Sequence, residues 1–167
     1  MYHVITGNGK GKTTAALGMA LRAAGAGMKV FIAQFVKGKP YAEHNAIEHI
    51  AEIDYELMGR RCFIEKDPEP EDIEKARNGW ERVRRKLENN EVDLLILDEL
   101  HIAHYYELLD NAEVIATIKK FKNQIEIVST GRYAPDFLTE IADLISEVKE
   151  IKHYYEQGVE ARKGIEY

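Results

Sequence analysis

Residues 2–14, YHVITGNGKGKTT, run from a short apolar segment into three glycines and two lysines and then into a pair of threonines. Tyr2–Thr6 has the length and character of a buried strand. Thr13–Ala24, rich in Ala, Leu and Met until Gly25 and Gly27 stop it, reads as a helix. A glycine-rich turn between a strand and a helix is the context of a phosphate-binding loop. Its glycines let backbone N–H groups curl inward and the helix N-terminus adds positive potential. Lys12 supplies a point charge, and the Thr13 hydroxyl is placed to reach magnesium. A turn that only capped the helix would have no need of so many glycines and lysines. The general pattern GxxxxGK[ST] asks for glycine at position 6; this chain has Thr6, with Gly7 beside it, which implies a subclass of the loop.

Outward from the loop, Lys29–Phe35 (KVFIAQF) is a second β-rich run, followed by a break at Lys37-Gly38-Lys39-Pro40 and a short polar helix through Ile50. A third strand is expected over Ile53–Leu57, and residues 59–71 (GRRCFIEKDPEPE), with two prolines and no period, read as a long loop over one face. From Asp72 to Glu88 the apolar positions Ile73, Ala76, Trp80, Val83 and Leu87 recur at helical spacing, leaving Arg82, Arg84, Arg85 and Lys86 on a solvated face. Asp93–Leu97 (DLLIL) is the strongest buried-strand signal; Gln124–Ser129 and Leu144–Val148 are further candidates. Strands alternating with helices predict an α/β fold, a mostly parallel sheet flanked by helices on both faces, with ligands beyond the carboxyl ends of the strands.

The 167 residues are expected to form one domain, residues 1–167, with a single core. The net charge of −6 provides no global positive field, so nucleic acid is not an expected partner and anionic ligands must be held locally. Charges interrupt every apolar stretch before the roughly 20 residues a bilayer crossing needs, so no membrane association is expected. Residues 1–5 show none of the succession of an export signal. Cys62 is the only cysteine and excludes an intrachain disulfide. Both features predict a cytoplasmic protein.

At the end of the DLLIL strand, Asp98-Glu99 stands where magnesium-binding carboxylates are expected to face the loop across the sheet. Alone, such a pair would more often be helix N-terminal charge; beside the loop it reads as metal support. His101 and His104 follow at helical spacing, but neither a cysteine nor a third histidine completes a zinc pattern, and His3, His44, His49 and His153 show no ligand spacing. Arg132, in Thr130-Gly131-Arg132 after a strand, is open to two readings: a phosphate ligand or a surface arginine after a turn.

Residues 7–38, GNGKGKTTAALGMALRAAGAGMKVFIAQFVKG, resemble the opening of the P-loop type of ATP:corrinoid adenosyltransferase. DLLILDEL (93–100) with Tyr106 and Leu109 beyond it, STGR (129–132) and the ending VKEIKHYYEQGVEARKGIEY (148–167) agree in order, so the resemblance spans essentially the whole chain. It implies a single-domain P-loop NTPase fold of RecA-like type and a homodimer, with a flavoprotein reductase as electron source. The implied reaction uses MgATP and a corrinoid: cobalt(I) attacks the 5′ carbon of ATP and triphosphate leaves. Such chemistry suits a site without a protein nucleophile or general base, because the corrinoid brings the nucleophile. By position, Gly7, Asn8, Gly9, Lys10, Gly11, Lys12, Thr13 and Thr14 would bind the triphosphate with Arg132. Thr13 and Glu99 would hold Mg2+, Asp98 would support it, and Lys12 and Glu99 would carry the catalytic charge.

Two departures bear on the corrinoid. Where the family shows an aromatic pair pressing on the corrinoid's lower face, this chain has Gly59-Arg60-Arg61-Cys62-Phe63, leaving Phe63 as the candidate contact. His101-Ile102 stands where relatives show a polar residue followed by tyrosine. Two other readings follow from the loop alone. One is a P-loop ATPase or small-molecule kinase in which Asp98 or Glu99 orients water or an acceptor; the other is a silent nucleotide-binding partner protein.

Overall fold

A computed structural model describes residues 1–61, 64 and 67–167. One six-stranded sheet runs through them, built from β1 (Tyr2–Thr6), β2 (Val30–Phe35), β3 (Ile53–Met58), β4 (Leu94–Asp98), β5 (Glu126–Thr130) and β6 (Leu144–Glu147). The order is β3-β2-β4-β5-β1-β6, and every pairing is parallel. The loop strand β1 and the acidic strand β4 are therefore separated by β5, the RecA-like arrangement that the resemblance implies.

The strand pattern explains two covered faces. Along β4, Leu95 and Leu97 join Tyr2, Phe31 and Phe35 in a core completed by Trp80 and Val83 of α3 (Pro70–Glu88), Leu100 of α4 (Leu100–Tyr105) and Val114 and Ile118 of α5 (Asn111–Phe121). Leu94 and Ile96 face the other way, joining Val30, Ile32 and Val128 against Ala16, Ala20, Ala23 and Ala24 of α1 (Lys12–Gly25) and Ile47 of α2 (Ala42–Ile47). The small alanines let α1 lie close to the sheet, which seats its N-terminus at the carboxyl edge. A short α6 (Asp136–Thr139) precedes the edge strand β6, and a 3₁₀ turn (Tyr154–Gln157) lies in the tail. No helix among the described residues is long and apolar enough to cross a membrane.

Element ends depart from expectation for local reasons. The helix expected from Asp72 starts at Pro70, whose fixed φ suits the first helical position. Glu69 and Asp72 form a reciprocal capping box there. β5 starts at Glu126 because the Gln124 and Ile125 amides turn back to the Phe121 carbonyl and close α5. α2 ends at Ile47, short of Ile50, and β6 stops at Glu147.

Candidate active site

Thr6 completes β1, in register with Glu147 of β6, and its hydroxyl accepts from the Ala134 amide at 3.3 Å. That accounts for the missing glycine at position 6: the chain is still strand there, and the turn begins at Gly7, with φ 104°. A Cβ on Gly7 would lie 2.4 Å from the Val148 carbonyl oxygen, and one on Gly9 would lie 2.8 Å from the same atom. The Gly9 amide donates to that oxygen at 2.8 Å, so it is turned to the chain leaving β6 and not inward. We expect Gly7→Ala to cost at least about 2 kcal/mol, from the backbone clash and the left-handed φ together. Thermal unfolding checks this, and an unchanged midpoint would count against the close approach.

Gly11 caps α1 and has no side chain to satisfy the first-turn amides, which are left to a ligand at the helix's positive end. Lys12 is buried, and its ammonium donates to the Gly9 carbonyl at 2.8 Å, folding the loop on itself. Burial pushes its pKa below the ordinary lysine value, against the pull of Glu99.

Asp98 ends β4 at 1% exposure. Its Oδ1 accepts from the hydroxyls of Thr130 (2.6 Å) and Thr13 (2.9 Å), and its Oδ2 from the Gln34 amide (2.9 Å) and the Lys37 ammonium (3.2 Å). Burial opposes ionisation, but Lys37 and these donors outweigh it and hold the carboxyl below its usual pKa. Glu99, half-buried, has a left-handed φ of 56°; it stands on the wall of the cavity above the loop while its neighbour stays beneath. Its pKa is raised, by burial first and by Asp98 second. The Thr13 hydroxyl and the Glu99 carboxylate are hard oxygen donors on the cavity wall, and Mg2+ commonly takes one or two carboxylates plus phosphate oxygens, so the residues present fit that ion, with Asp98 behind Thr13.

The cavity measures about 960 Å³, within the range of small-molecule sites. Asn8, Gly9, Lys10, Gly11, Lys12, Thr13, Thr14, Glu99 and Arg132 all line it, so the structure brings the expected loop residues together with both outlying ones, except Gly7, which packs under Val148 and is not part of the lining. Asp98 lies below, reached through Thr13. Phe63, and with it Cys62, falls outside the described residues. His101 and His104 face inward to other tasks: His101 bonds the Gly131 carbonyl (3.0 Å) and the Ser129 hydroxyl (2.9 Å), and His104 bonds Asn111 (2.8 Å). Burial lowers the His101 pKa to about 4, so it is neutral at physiological pH and holds the turn that carries Arg132.

Sequence reasoning missed three parts of this site. Gln34, a polar residue inside an otherwise apolar strand, and Lys37 reach Asp98; the lone polar position in VFIAQF was the available signal. His44 docks α2 by bonding Gln34, with its other ring nitrogen accepting from the Tyr41 amide at 2.8 Å. The tail returns over the loop: Lys10 donates to Glu166 (2.6 Å) and Tyr154 (2.8 Å), and Gly164–Tyr167 form a cavity wall, with Tyr167 edge-on to Tyr41. The two arginines after β3 divide. Arg60 makes paired bonds to Asp72 (2.7 and 2.9 Å) and another to Glu69 (2.8 Å), pinning the loop to the start of α3, whereas Arg61 is exposed.

Uncapped helix amides, a buried loop lysine and an acidic strand end converging on one cavity are the marks of a P-loop nucleotide-binding protein of the parallel α/β class. Within that class, the family model described as ATP:corrinoid adenosyltransferase BtuR/CobO/CobP matches residues 1–167, and the chain belongs to that family. Relatives named corrinoid adenosyltransferase agree. One from Escherichia coli (strain K12) is 36% identical over 165 residues, covering 98% of this chain and 84% of its own. One from Pseudomonas aeruginosa is 37% identical over 166 residues, 98% and 82%. The Salmonella typhimurium protein named corrinoid adenosyltransferase CobA is 35% identical over 165 residues, 98% and 84%.

Proposed function

We propose that the chain transfers the 5′-deoxyadenosyl group of ATP to cobalt(I) of a corrinoid, with the loop and strand-end residues in the following roles. The α1 amides and Lys12 hold the triphosphate, Arg132 adds a second cation, and Thr13 and Glu99 ligate Mg2+ while Asp98 fixes Thr13. A cobalt–carbon bond forms as the C5′–O bond breaks, and the electron pair leaves with triphosphate. Nothing needs deprotonating, so the protein's work is to hold the two substrates in line and to neutralise the charge growing on the leaving oxygen. Bound Mg2+ would supply further neutralisation of that charge. The observation that supports this reading is the gathering of loop, Glu99 and Arg132 around one cavity in a member of this family. Anaerobic incubation with MgATP and cob(I)alamin should yield a light-sensitive organocobalt product and inorganic triphosphate. ADP as the product would favour the ATPase or kinase reading instead, and intact ATP the silent one.

Residence in the cytoplasm belongs to the same proposal, supported by the lone cysteine. So do a homodimer and a flavoprotein reductase as electron source, on the strength of the resemblance.

The role of Glu99 carries a prediction with two signs. Its folded pKa is raised, so the ligand-free fold loses stability as pH climbs from the unfolded-state value through the folded one, and stays lower above it. Glu99→Gln should therefore melt a few degrees higher than wild type at neutral pH and no higher in acid. Mg2+-dependent turnover should fall by about 10²-fold or more. Calorimetry at two pH values and a turnover assay read both; a variant that kept full turnover would remove Glu99 from the metal site.

A further inference from the structure

Tyr133 follows Arg132 with a left-handed φ of 58° and is 58% exposed. A left-handed backbone is unfavourable for a non-glycine residue, and an exposed side chain recovers little of that cost by burial. The ring is held, though. It lies 5.1 Å from Tyr105, itself 61% exposed, at 32° between planes, and Tyr105 packs edge-on against Tyr106 at 5.2 Å. This aromatic pair adjoins the cavity on both sides: Ile102, one helical turn before Tyr105, and Arg132, next to Tyr133, both line it.

A corrinoid whose cobalt reaches the 5′ carbon of a nucleotide held in the cavity needs a broad apolar floor beside it. The described part of the loop after β3 offers none, because Arg60 is committed to Asp72 and Glu69. We infer that Tyr105 and Tyr133 form the platform on which the corrin macrocycle packs, with the rings against its flat apolar face and the hydroxyls within reach of its amide side chains. The pair thus determines corrinoid affinity, and the strain at Tyr133 is kept for binding. This inference rests on the adenosyltransferase reading above.

The test compares full-length wild type, Tyr105→Ala and Tyr133→Gly for corrinoid KM with cob(I)alamin, MgATP affinity by calorimetry, melting temperature and mass by light scattering. Corrinoid KM should rise about tenfold in each variant, roughly 1.4 kcal/mol and within what one aromatic contact supplies. MgATP affinity should stay within about twofold. Tyr133→Gly should melt at or above the wild-type temperature, since glycine relaxes the backbone. Corrinoid KM values within about twofold of wild type would overturn the platform. So would a KM rise seen only together with a change in oligomer mass, which would assign the patch to a contact between copies. Failure of the wild type itself to form the organocobalt product would sink the adenosyltransferase reading instead.

Discussion

Lys12→Ala weakens MgATP binding by about 10²-fold or more and carries turnover down with it. Hydrogen bonds to charged groups contribute about 1.5–3 kcal/mol each, so two lost contacts to phosphate oxygens suffice. The fold should survive: the Lys12 ammonium makes one described bond, to the Gly9 carbonyl at 2.8 Å, and its burial already disfavours the charge. Truncation therefore removes about one hydrogen bond and relieves one desolvated cation, leaving the melting temperature within a few degrees of wild type. Arginine is not an equivalent substitute, since a planar fork fits poorly where a point charge sits inside a closed turn. Titration calorimetry with MgATP decides the matter. Affinity equal to wild type would mean that the loop does not hold the triphosphate.

The features legible in the sequence have short-range causes. The loop from Gly7, the alanine-rich face of α1 and the DLLIL strand each carry their signal within a dozen residues; α1 starts at Lys12 and β4 runs Leu94–Asp98, each displaced by a single position from the expected Thr13 and Asp93. The order of the strands is another matter: nothing local in β5 says that it inserts between β1 and β4, because that placement is decided by pairing partners distant in sequence. The tail was opaque for a related reason. Residues 148–167 lack periodicity, and what seats them is a set of long-range polar contacts, Lys10 to Glu166 and Tyr154, together with the passage of Val148 over Gly7 and Gly9. Even the pairing of Asp98 with Glu99 hid a division of labour, since their opposite pKa shifts come from Lys37 and the hydrogen-bond donors gathered on Asp98 and from the burial of Glu99 beside that charge, neither of which is local in sequence.

Asp98→Asn should damage the fold severely. The carboxylate is buried and is the acceptor for Thr13, Thr130, Gln34 and Lys37, so it ties together β2, β4, β5 and the start of α1. Asparagine keeps the shape, but it points an NH2 at groups that donate and strands Lys37 without its main counter-charge. Removing one partner of a buried ion pair costs about 3–5 kcal/mol, which in a domain of this size lowers the melting temperature by roughly 6–20 °C. The pH dependence has a definite sign. The folded pKa of Asp98 is depressed, so its stabilisation is present above the unfolded-state value and is lost as pH falls through the folded one; wild type and variant should converge in acid. Adding Lys37→Met separates folding from function, because a neutral methionine removes the stranded cation. The double variant should regain part of the lost stability at neutral pH while turnover stays abolished, with Thr13 no longer held against a carboxylate. If the single variant unfolds within a degree or two of wild type, or if the second substitution restores turnover along with stability, Asp98 does not anchor the site as its hydrogen bonds indicate.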